Sequence, residues 1–80
     1  MTNTEKTKAE KILDEAIRNH RNAIDDWKAY ERCMKKGDYA SAETYLRKFQ
    51  DAISYSEGIY YALAAIGFHH PKMKEFSDML

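Results

Sequence analysis

The stretch MKKGDYA, residues 34–40, decides how this chain folds. Lys35 and Lys36 suit the negative end of a helix dipole, and Gly37 supplies the left-handed backbone on which many helices stop. Asp38 follows at once, and a carboxylate there caps the first amides of a new helix. Stop and start signals therefore touch. So short a connection allows only a tight reversal, and the two helices it joins must lie antiparallel.

Upstream of the turn, Ala9, Leu13, Ala16, His20, Ala23, Trp27, Tyr30 and Met34 recur at alternating steps of four and three. That is one apolar stripe along a helix, widened by Ile12, Ile17 and Ile24. Lys11, Asp14, Arg18, Arg21, Asp25 and Arg32 occupy the opposite face, with Asp14–Arg18 and Arg21–Asp25 spaced as i,i+4 pairs. Thr2 with Glu5 and Thr7 with Glu10 both have capping-box spacing, so the start stays open between them. The first helix is expected over about residues 5–36.

Downstream, Ala42, Tyr45, Leu46, Phe49, Ala52, Ile53, Ile59, Tyr60 and Leu63 make a matching stripe, and the second helix is expected over about residues 39–66. Gly67 ends it, with Phe68 placed to fold back as the apolar contact of a Schellman-type cap. His69 and His70 lead into Pro71, a good first residue for a third helix over about residues 71–80. Met73, Phe76, Met79 and Leu80 give that short segment an apolar face, and it needs a surface to dock on. The expected fold is all-α, one domain: a long antiparallel helical hairpin plus a short C-terminal third helix, pairing with a second copy into a dimeric helical bundle.

Gly37-Asp38-Tyr39 with Ala42 and Tyr45 resembles the turn and second helix of a tetratricopeptide repeat. Tyr30 stands where the repeat has glycine, Phe49 replaces a small residue, and there is one copy where solenoids stack three or more. The resemblance implies a shared hairpin turn and not membership of the repeat family.

Composition narrows the function. Thirteen Lys and Arg balance thirteen Asp and Glu across 80 residues. The basic excess usual in proteins that grip phosphates is missing, and so is the charge imbalance of a disordered tail. A single cysteine, Cys33, can form no internal disulfide and suits a reducing compartment. No basic-then-apolar leader opens the chain, and the longest apolar run, Ile59 to Ile66, is about half a membrane span. A cytoplasmic protein without membrane contact is expected.

His20 interrupts the apolar stripe and reads as a core histidine with a hydrogen-bond partner. Glu31 is too far along the helix to share a metal with it, and the Glu-x-x-His spacing of di-iron bundles is missing. His69 and His70 read as turn residues, and Cys33 as a packing residue. Nucleophile elbows, zinc-protease motifs and phosphate loops do not occur. No catalytic residue, metal or cofactor is expected, and the chain is not expected to be an enzyme.

One feature asks for a partner. Ile59 through Ile66 are apolar without a break, so the second helix is apolar all round there. Facing away from the first helix, Ser54, Gly58 and Ala62 fall at i, i+4 and i+8 with Ala65 beside them, flanked by Tyr55 and Tyr61. Such a row lets another helix come close. It would also explain Gly58, which costs a helix about 1 kcal/mol relative to Ala. The row has three possible covers: the third helix, a second copy in a four-helix bundle, or a different protein. A third helix about 15 Å long cannot cover a hairpin of about 42 Å, which favours self-association. The expected interaction surface is Ser54, Tyr55, Gly58, Tyr61, Ala62 and Ala65, then Met73, Phe76 and Met79.

These readings make the chain a protein–protein interaction module, an adaptor or regulator whose partners are itself and another protein. The alternative is a nucleic-acid-associated regulator acting as a helical-hairpin dimer. It would use Arg18, Arg21 and the cluster of Lys35, Lys36, Arg47 and Lys48 near the turn. Size and the lack of any cofactor motif would also suit an accessory protein of a bacteriophage or mobile element.

Overall fold

The computed structural model describes residues 1–80 as three helices and no strands: α1 (Asn3–Lys36), α2 (Tyr39–Ala65) and α3 (Pro71–Met79). α1 and α2 form the expected long antiparallel hairpin. The molecule measures 52 × 16 × 16 Å. Its long dimension is that of α1 alone, about 51 Å at 1.5 Å per residue.

Each helix end is set by residues within a turn of it. The earlier of the two capping boxes is used: Thr2 Oγ1 accepts the Glu5 amide at 3.1 Å and donates to the Glu5 carboxylate at 3.1 Å. The hydroxyl of Thr7 instead donates to the Asn3 carbonyl inside the helix. At the turn, Gly37 has φ +78°. The Asp38 amide donates to the Cys33 carbonyl at 2.9 Å and the Gly37 amide to Met34 at 3.2 Å, the paired bonds of a Schellman motif. Asp38 caps α2 by accepting the Ser41 amide at 3.2 Å. Hydrogen bonding from Ser41, side chain first and backbone second, holds the Asp38 carboxyl below the ordinary carboxylate range.

The same motif recurs at Gly67 (φ +76°), where the Phe68 amide reaches the Leu63 carbonyl and the Gly67 amide reaches Ala64. Phe68 folds back into the cluster that contains Leu63, as the sequence predicts. His70 then caps α3 through Nδ1, which accepts the Lys72 amide at 3.1 Å, and Pro71 takes the first helical position.

α3 lies in the groove between the two long helices and runs in the direction of α1. Lys72 pairs with Asp14 at 2.8 Å and Glu75 with Arg21 at 3.1 Å. Phe76, 0% exposed, meets the rings of His20 and Tyr60 edge-on. The core is one cluster of Ala9, Leu13, Ala16, Ile17, Leu63, Phe68 and Phe76. All of it lies in the half of the hairpin remote from the turn.

Towards the turn the packing differs from the expected stripe. Trp27 and Met34 are 38% and 42% exposed, and the buried line passes through Ala23, half-buried Asp26, buried Ala29 and half-buried Cys33. Steps of three residues fall about 60° short of a full turn, so the contact line winds round α1 instead of running straight. Ala23, Ala29 and Ala42 are the buried residues of this half, the last two nearest the turn. Small side chains at Ala29 and Ala42 let the helices close up beside the turn, leaving Trp27 and Met34 exposed while Tyr30, Tyr45, Leu46 and Phe49 stay half-buried.

Candidate interaction surfaces

The small-residue row of α2 is open. Ser54, Tyr55, Gly58, Tyr61, Ala62 and Ala65 are all exposed, and Tyr61 is 69% exposed. Nothing lies within 4 Å of the position a Cβ would take on Gly58. Over the thirteen residues from Ser54 to Ile66, Glu57 carries the sole charge. α3 does not cover this row. A helix with Phe76 at its centre buries that ring on two sides in a groove, whereas the outer face of a single helix would bury one side only.

The three α3 residues of the expected surface therefore have a different place. Phe76 is a core residue with no outer surface to offer, and Met73 and Met79 are half-buried against the same cluster. That leaves the six α2 residues as one exposed strip, extended at its end by exposed Ile66.

A second opening lies in the groove just beyond the end of α3. It encloses about 410 Å³ and is lined by His20, Ile24, Trp27, Phe49, Ile53, Met79 and Leu80. Sequence reasoning did not foresee it, because it exists only where α3 stops short of the turn. The rings of Trp27 and Phe49 pack against each other in its wall, centroids 5.1 Å apart, and pair these two positions of the hairpin.

Seven residues back from Trp27 is His20, and seven residues on from Phe49 is Ser56, so these two share a layer of the antiparallel pair. His20 is 4% exposed and Ser56 fully buried, and neither the Nδ1 of one nor the Oγ of the other has a hydrogen-bond partner. His20 is thus a core residue as expected, but without the expected partner. Ser56 was missed, although Ala42, Phe49, Ser56 and Leu63 recur every seven residues and mark it as inward-facing.

The remaining candidates are local. His70 is the cap of α3, its ring stacked on Phe68 at 5.8 Å, with Nε2 3.7 Å from the Glu10 carboxylate. His69 is exposed and Cys33 half-buried. His, Cys, Asp and Glu side chains nowhere gather in threes as a metal would need. The Lys72 hydrogen bond holds the Asp14 carboxyl below its ordinary range, and Asp14 in turn pushes the Lys72 ammonium above its own. No helix is long and apolar enough to cross a membrane.

No protein-family model, curated protein or solved structure matches this chain. The surfaces themselves carry the functional reading.

Proposed function

We propose that the chain is a small protein–protein interaction module, an adaptor or regulator, that self-associates through the outer face of α2. The observation that supports this reading is the open, nearly uncharged strip around Gly58. Scattered apolar residues are ordinary on a protein surface, but a contiguous strip of them is an association site. Small residues at four-residue spacing let two α2 helices approach closely, with Tyr55 and Tyr61 closing over the seam. Two copies related by a two-fold axis would each use the same strip, so the contact closes at a dimer and does not propagate.

Gly58→Leu tests this with effects of opposite sign. In an isolated chain the substitution meets empty space and replaces a poor helix former by a good one, so stability should rise by about 0.5–1 kcal/mol. In the dimer the same side chain sits where two backbones must meet, and association should be lost. Sizing chromatography and thermal melts on wild type and variant separate the two. A variant that associates as the wild type does would remove the strip from the account.

A further inference from the structure

α3 ends before its groove does. Its last residues, Met79 and Leu80, reach the opening that Ile24 lines, and α1 runs on for fifteen residues past Arg21, about 22 Å at 1.5 Å per residue. Over the first part of that length, as far as Trp27 and Phe49, the two long helices still offer apolar walls. Ile24 and Trp27 stand on α1, Phe49 and Ile53 on α2, all in line with the seat of α3.

The flank of the groove changes in step. Asp14, Arg21, Lys28 and Lys35 follow one another at intervals of seven along one side of α1. The first two hold α3, through Lys72 and Glu75. Lys28 and Lys35 form no ion pair within the chain, nor does Arg32 beside them. Together with Glu31 they line a shallow depression, three cations to one carboxylate.

From these observations we propose that the turn-proximal half of the groove binds an amphipathic α-helix of another protein, laid end to end with α3 and carrying an acidic flank. α3 itself shows what the groove accepts: apolar side chains at i, i+3 and i+6 (Met73, Phe76, Met79), and flank charges opposite to those on α1. A partner helix continues that pattern, with apolar anchors over Trp27 and Phe49 and carboxylates against Lys28, Arg32 and Lys35. Phosphates would suit the cations but not the apolar walls beside them, which favours a helix over a nucleic acid. This surface shares no residue with the α2 strip, so either proposal can fail alone.

The sole tryptophan lines the groove and reports on it without a label. The probe is a synthetic, tryptophan-free helical peptide of roughly four turns, with Met and Phe at the α3 spacing and Glu along one flank. The control peptide has Lys at those flank positions. Saturable blue-shifted Trp27 emission is expected with the acidic peptide, and binding about tenfold weaker with the basic one, the combined effect of three exposed ion pairs. The triple variant K28E/R32E/K35E, all exposed positions, should keep its helical circular dichroism and reverse the order of the two peptides. Equal affinities, or no change at Trp27, would overturn the proposal. So would a short RNA duplex that binds more tightly than the acidic peptide and is lost in the same variant.

Discussion

The two halves of the hairpin are made from the same pair of helices, joined by one turn, and they are packed differently. Remote from the turn, α3 and Phe68 close over the helix pair, and all three helices contribute to a single buried cluster. Near the turn two helices stand alone, and full burial is confined to Ala23, Ala29 and Ala42, while Trp27, Met34 and Tyr39 are exposed. Two helices bury side chains along one seam, whereas a third helix seated in their groove has a side chain buried from two directions. The difference teaches that an apolar stripe of correct period does not ensure burial. Burial depends on how many neighbours the stripe meets, and here the count changes halfway along.

The largest expected effect breaks the closed half. Phe76→Ala should cost about 3–5 kcal/mol, because a fully buried ring is removed from the one place where all three helices meet. Phe49→Ala, the matching change in the open half, should cost roughly half as much, since that ring is only partly buried. Urea denaturation of both variants gives the ratio, and equal losses would mean that the two halves are equally well packed.

A smaller effect, of opposite sign, comes from the layer between the halves. Ser56→Ala removes a buried hydroxyl with no partner and should raise stability by roughly 1 kcal/mol. A loss on the same scale would show that the hydroxyl is satisfied in solution, with His20 as the near neighbour in its layer.

The smallest effect concerns the pairs that tie α3 down. The folded Asp14 has its pKa lowered by Lys72, so its contribution is whole above the ordinary value of 3.8 and is lost as pH falls below it. Lys72 has its pKa raised by Asp14, so its contribution is whole below 10.5 and is lost as pH rises through the higher folded value. Both side chains are about half exposed, which keeps the effect small. Methyl signals of Met73 and Met79 followed by NMR should move at both extremes in the wild type. In Lys72→Met the alkaline change should disappear.

Features that act within a turn of themselves were legible in the sequence. Gly37 and Asp38 gave the reversal, Gly67 and Phe68 the second stop, and Pro71 the third start, each through backbone chemistry that needs no distant partner. The exposed strip around Gly58 was legible for a related reason: its spacing alone places it away from the partner helix. The seat of α3 was not legible, because it depends on a groove that exists only once α1 and α2 have packed. The same holds for Trp27 and Met34, whose exposure follows from the winding of the contact line, and for the opening beyond α3. Ser56 was available from the seven-residue repeat but hidden by its polarity.

The most direct test of the central claim is the mass of the wild-type chain in solution, measured by light scattering across a wide range of concentration. A dimer that dissociates on dilution, with the outer face of α2 as its seam, is the expected result. A monomer at every concentration would contradict it, and would leave the strip around Gly58 as plain exposed surface.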